Sequence, residues 1–563
     1  MDKRLFLAFA LSGVVVIATP FLFPRTTLPP ATPAADSAAV STPATAPTNG
    51  AAAKSAPAAA SAKAAPPTTP AAVAPSAAAP AVPAVAVESV TVNTALSHTH
   101  FSSQGAAPFR VELPGFANLG KAKGAVAIYQ TNEPLLRYRV LAGRDTIDLS
   151  TVRFTATRST TTSGAQHVTF HGTAGTADVT VQYSQLPNNY LANVQATVRG
   201  LPAPAFLLVD LPTGFATQEA DTSGDIMSLA YAVKPQRGSA KGVPFRKLDP
   251  GEQRLETGPM WWAVAKNKYF QVALLTDEKK PTIAEVQFEG GVRQSKLATR
   301  SKATAVLPLS NDGTTTFDLY AGPQEWERMR ALGRDFENAN PYGGFLQGIV
   351  QPFATIVMRA LLWMKRTTQL NYGWVLVIFG VAIRLLMWPL NTKAMRASLK
   401  MQVLQPELQA LQTKYKSDPQ KQQQEIMKLY NEHGMSPLSP LMGCLPMLLP
   451  MPVLFALFFV FQNTIEFRGV SFMWLPDISL KDPLYVLPLL MGASMYVLSW
   501  IGMRNTPPNP QAKMMAYMMP AMMTFFLINF ASGLNLYYTV QNIAALPQQW
   551  LIANERQKKI NPS

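Results

Sequence analysis

The stretch VLVIFGVAIRLLMWPL (residues 375–390) is apolar enough for the interior of a membrane, yet it carries Arg384. A charge at the centre of a bilayer costs about 3 kcal/mol on insertion scales. Four further apolar runs follow, at 441–461, 484–501, 514–530 and 534–552. With 372–390, that makes five segments long enough to span as helices. Between the first two runs lie Lys393, Arg396, Lys400, Lys414, Lys416, Lys421 and Lys428, and Arg556, Lys558 and Lys559 follow the last. The positive-inside rule puts both basic segments in the cytoplasm. The apolar segment 341–366 precedes the first span. If it also spanned, the basic loop would face outward, so it is predicted to lie along the periplasmic interface as an amphipathic helix.

The chain opens with MDKRLFLAFALSGVVVIATPFLFPR (1–25), two cations before an apolar run. The run is longer than the core of a typical signal peptide. It reads as an uncleaved transmembrane anchor with its N-terminus in the cytoplasm; a cleaved signal is the alternative. Residues 26–86, nearly all Ala, Pro, Thr and Ser, read as a disordered linker. From 87 to 340 the pattern changes to alternating β-type runs such as HVTFHGTAGTADVTVQYS (167–184) and IAEVQFEGG (283–291), broken by turn residues. This predicts a large antiparallel β-sandwich in the periplasm. The expected fold is therefore a polytopic α-helical membrane protein with an N-terminal anchor, a five-helix core over 367–552 and a large periplasmic β-sandwich domain. A basic cytoplasmic tail, 553–563, ends the chain.

Net charge is +16 over 563 residues, but the cations are dispersed and many flank apolar spans. Nucleic acid is therefore not expected as a specific ligand. Within the basic loop, Leu404, Leu408, Leu411 and Tyr415 form one helical stripe. Asp418 and Pro419 then restart a helix as cap and first residue. The region 391–433 is predicted to be a helical hairpin that packs on itself or docks a partner.

No catalytic constellation emerges. Phosphate-loop and nucleophile-elbow motifs are absent. His98, His100, His167 and His171 lack companion metal ligands and read as strand histidines. The lone cysteine, Cys444, reads as a packing residue. No metal, no cofactor and no enzymatic activity are expected.

The polar residues inside the spans are more informative. The last run, LNLYYTVQNIAALPQQWLI (534–552), holds Asn535, Tyr538, Thr539, Gln541 and Asn542. Ser494, Ser499 and Asn529 lie in neighbouring runs. Such groups must face one another or water when the helix is in lipid. Snorkelling to the headgroups alone would account for Arg384. An arginine together with this many polar neighbours fits a wet cavity inside the bundle better.

IRLLMWPL (383–390), MQVLQPELQALQTKY (401–415), MGCLPMLLPMPVLFALFF (442–459), DPLYVLPLLMGASM (482–495) and SGLNLYYTVQNI (532–543) resemble the YidC family of membrane protein insertases, with its Oxa and Albino relatives. The anchor, linker and β-domain resemble the Gram-negative form. The resemblance implies a multi-pass inner-membrane protein that inserts and helps fold newly made membrane proteins without ATP, alone or with the Sec translocon. It implies a hydrophilic, positively charged groove open to cytoplasm and lipid. Arg384 matches the groove arginine and Tyr538 a substrate-contacting tyrosine; Gln541, Asn542 and Asn535 are expected to line the same groove. Leu454, Met491 and Phe526 match an apolar slide. Some members carry a threonine one turn before the arginine, where this chain has Gly380. The implied partners are nascent membrane proteins, lipids and the Sec translocon; the basic, exposed segments 391–433 and the tail suggest the ribosome or targeting machinery as a further partner, or serve only as topology signals.

Two other classes compete. A solute transporter would need an outward-opening path and, commonly, inverted repeats, and none is visible. A carbohydrate-active enzyme on an anchor would draw on the sandwich fold, but no paired acid and base supports it.

Overall fold

The computed structural model describes residues 87–162, 164–276, 283–291, 293–294, 297–340, 347–433, 451–504 and 510–560. The expected anchor 1–25 and linker 26–86, together with Cys444, lie outside them.

Alternating apolar residues build the β-domain. In Leu191–Arg199, Ala192, Val194, Ala196 and Val198 are buried while the residues between them face outward. A four-stranded sheet (Ser89–Asn93, His98–Ser102, Ala107–Ala117 and Ala125–Tyr129) packs against a fourteen-stranded sheet. All strand pairings are antiparallel. The two sheets share one core. Phe101 of the small sheet lies 4.6 Å from the Tyr183 ring, and Tyr183 donates its hydroxyl to the Ala106 carbonyl at 2.8 Å. At the centre of the large sheet, Gln253–Lys266 pairs with Phe270–Leu275, whose six residues are all buried. The expectation of an antiparallel β-sandwich therefore holds for the described strands.

The helical part comprises α1 (Gln347–Thr368), α2 (Tyr372–Val403), α3 (Gln405–Lys414), α4 (Pro419–Glu432), α5 (Met451–Asn463), α6 (Val486–Met503), α7 (Pro510–Leu527) and α8 (Ser532–Ile560). Among the described residues, two helices are long and apolar enough to cross a membrane, over Tyr372–Arg396 and Val486–Met503. Val453–Asn463 and Ala516–Leu527 are shorter apolar helices. Large apolar residues stand exposed on them, Leu386, Leu489 and Phe525 among them, as a lipid-facing surface requires. Helix α1 buries Ala354, Met358 and Leu361 and exposes Phe353, Ile356 and Trp363, so both of its faces are apolar.

Helix boundaries run past the apolar segments. Helix α2 continues through Pro389 and the first basic residues to Val403, and α8 continues through Pro547 to Ile560. The two extensions are tied together where Arg396 Nη2 and Nε meet the Glu555 carboxylate at 2.7 and 3.1 Å. Helices α3 and α4 form a hairpin. Asp418 accepts from the Lys421 N–H at 3.1 Å with Pro419 in the first turn, the predicted cap. The ring of Tyr415 lies beneath the ammonium groups of Lys414 and Lys421.

The segment between α5 and α6 clasps the β-domain. Arg468 donates from Nε to both oxygens of Glu219 at 2.9 Å, with both side chains almost fully buried. Its guanidinium also lies over the rings of Tyr269 and Phe270. The Tyr269 hydroxyl donates to Ser479 Oγ at 3.2 Å, and the main-chain N–H of Trp326 donates to Glu466 Oε1 at 3.2 Å. The same segment holds the start of α8, because the N–H of Gly533 donates to the Ile478 carbonyl at 2.9 Å.

Candidate functional site

Helices α2 and α8 meet along a polar seam. On α2, Gly380, Arg384, Trp388 and Thr392 recur every four residues and so share one face. Opposite them on α8 stand Gln541, Ala545 and Gln548. The Gln541 side-chain amide donates to the Gly380 carbonyl at 2.7 Å. Arg384 donates from Nη2 to Gln548 Oε1 at 2.9 Å. Gln548 Nε2 donates to the Trp388 carbonyl at 2.9 Å and to Thr392 Oγ1 at 2.7 Å. Small residues let the helices approach this closely: a Cβ built on Gly380 would stand 3.0 Å from Val540 Cγ1.

Arg384 is half-buried and has no carboxylate within ion-pair distance among the described residues. Its Nε is buried without an acceptor among the described residues. The cation is therefore held but not neutralised.

The other expected residues divide between two surroundings. Asn542 faces α6, donating to Ser494 Oγ at 3.0 Å. Asn535, fully buried, donates to the Leu527 carbonyl at the end of α7 at 3.1 Å, and its Oδ1 has no partner among the described residues. Thr539 bonds within its own helix to the Asn535 carbonyl. Tyr538 is half-buried and set edge-on to Tyr537 at 6.1 Å. Among the three slide positions, Phe526 is exposed and lies 5.1 Å from the ring of Phe530, while Leu454 is half-buried. Met491 is wholly buried, and its carbonyl accepts from Ser494 Oγ.

Gln548 and Thr392 were not anticipated from the sequence. The available signal was spacing: Gln548 lies seven residues after Gln541, on the same helical face.

A helical bundle carrying a half-buried cation without a carboxylate partner among the described residues, joined to a β-domain, defines a class: a membrane protein with a polar site within its apolar helices. The sequence pattern described as 60Kd inner membrane protein matches residues 363–559, and that described as YidC periplasmic domain matches 89–356. Curated relatives include the membrane protein insertase YidC of Anaeromyxobacter sp. (strain Fw109-5), 31% identical over 68% of this chain and 68% of the relative. That of Chlorobium luteolum is 35% identical over 55% of this chain and 53% of the relative. This chain belongs to the YidC family of membrane protein insertases. Among solved structures, an active YidC insertase with its first transmembrane domain resolved aligns at 19% identity over 82% of this chain and 92% of that one. Its TM-score of 0.33 is too low to bear on the assignment, which rests on the sequence matches.

Proposed function

We propose that this chain inserts newly made membrane proteins through a hydrophilic, positively charged groove built on the α2–α8 seam. Arg384 carries the reading, as a half-buried cation on a helix apolar enough to span and without an acidic partner among the described residues. Moving a polar tail through hydrocarbon costs several kcal/mol for each unpaired group. A wet, partly buried site shortens that dry path. The charge of Arg384 attracts an acidic tail more strongly there than in bulk water. The client's apolar segment then leaves sideways into lipid, which is downhill. In this reading Gln541 and Asn542 line the polar path, Tyr538 contacts the client at its edge, and Leu454 and Phe526 give the apolar segment a surface to leave along.

The clients are nascent membrane proteins, delivered alone or with the Sec translocon. Both termini lie in the cytoplasm, and the basic α3–α4 hairpin and the tail face the ribosome. Lys414, Lys416 and Lys421 support that orientation by the positive-inside rule. A photo-crosslinker at position 538 tests the reading. It should capture a ribosome-bound nascent membrane protein during insertion. Insertion that proceeds without any crosslink from 538 would overturn the groove. Cysteines at Leu186 and Ser417, in a Cys444→Ser background, test the orientation. Only the first should react with an impermeant maleimide from outside.

A further inference from the structure

We propose that Gln548 is a positioning residue that holds the Arg384 guanidinium in place while leaving its charge uncancelled. The inference rests on the reading of Arg384 as the cation that draws client tails.

The geometry fixes the role of each atom. Gln548 is almost wholly buried. Its Nε2 donates to the Trp388 carbonyl and to Thr392 Oγ1. A carbonyl oxygen only accepts, so the nitrogen must lie on that side. The amide oxygen is thereby turned toward Arg384, whose Nη2 donates to it at 2.9 Å. One turn earlier on α8, the small buried Ala545 lets the seam close. Gln548 thus binds α2 at three points spanning residues 384 to 392, and it occupies one of the five guanidinium N–H groups. The Nε group remains without an acceptor among the described residues.

The choice of an amide has a consequence. A carboxylate at 548 would bind the same N–H more strongly, but its charge would offset that of the arginine. An aliphatic side chain would leave a long, flexible arginine free to snorkel toward the headgroups. Glutamine gives orientation without neutralisation, which a site that attracts acidic groups by charge requires.

The test compares two clients differing only in tail charge, one acidic and one neutral, inserted into proteoliposomes by equal amounts of folded protein. Gln548→Leu should slow the acidic client about tenfold, the loss expected of one hydrogen bond to a charged group. The neutral client should lose less. Gln548→Glu keeps an acceptor for Arg384, yet it should lower the acidic-to-neutral ratio as far as Arg384→Ala does. In an Arg384→Ala background, Gln548→Leu should not change the ratio further. A role as seam glue alone predicts that Gln548→Glu keeps the wild-type ratio, or that Gln548→Leu slows both clients equally, and either result would refute the proposal. If Arg384→Ala itself leaves the ratio unchanged, the charge reading fails. If Arg384→Ala changes it and neither Gln548 variant does, the positioning role alone fails.

Discussion

The side-chain amide of Gln541 donates to the main-chain carbonyl of Gly380 at 2.7 Å, a contact made across two helices at a position without a side chain. Here a Cβ would lie 3.0 Å from Val540 Cγ1 and 3.6 Å from Tyr537 Cδ2. The absence of a side chain here permits close backbone approach.

Gly380→Thr should therefore overpack the seam and cost about 1–3 kcal/mol. Adding Val540→Ala should recover much of the loss, because it removes the atom in the way. Thermal unfolding in detergent of the two single variants and the double checks this. Additive losses would show that the two positions do not share the space.

The junction between the β-domain and the α5–α6 segment should be far more sensitive to losing one partner than to losing both. Arg468→Ala alone leaves the Glu219 carboxyl buried without the cation that binds both its oxygens, at a cost of about 3–5 kcal/mol. Arg468→Met with Glu219→Gln should cost less than either Arg468→Ala or Glu219→Ala. Burial pushes Glu219 up to about 7 against the pull of Arg468, so unfolding is best compared at pH 8, where the carboxyl is charged.

Glu466 supplies a pH dependence. Burial pushes its carboxyl up to about 7, against the pull of main-chain N–H groups that include that of Trp326. A raised carboxyl favours the folded state below its unfolded value, near 4.5, and that advantage is lost as pH rises through about 7. The difference of roughly 2.5 pKa units sets a ceiling of about 3 kcal/mol. Glu466→Gln should gain stability relative to the native chain between pH 5 and pH 8. A constant difference between the two melting curves over that range would mean that Glu466 does not titrate at the junction.

Much of this architecture could be read from residue patterns. Strict alternation in runs such as ADVTVQYS (177–184) marks strands whatever their partners, so the sandwich was visible. Arg384, Gln541 and Asn542 stood out because polar groups inside apolar runs must find partners. Gln548 did not, because it lies toward the end of its run, where a polar residue is ordinary. A sequence resemblance gives a position but not what covers it, so Met491 and Phe526 matched the same apolar slide although one is buried and the other exposed. Arg468 and Glu219, 249 residues apart, read as two ordinary surface charges until folding brought them together. The continuation of α2 past Pro389 was hidden for a related reason. A proline usually ends a helix, and only the bond from Gln548 to the Trp388 carbonyl and the Arg396–Glu555 pair show what holds the extension.

The central claim is that the charge of Arg384, and not its bulk or its anchoring, speeds the transfer of acidic tails. The most direct measurement is the insertion rate of a client pair differing only in tail charge, at matched levels of folded protein, for the native chain, Arg384→Lys and Arg384→Ala. The lysine variant should keep most of the rate, because it still supplies a cation. The alanine variant should slow the acidic-tailed client about ten- to a hundredfold, the range for a lost bond to a charged group, and the neutral-tailed one much less. Equal slowing of both clients by Arg384→Ala would contradict the account and leave Arg384 a structural or hydrating residue of the seam.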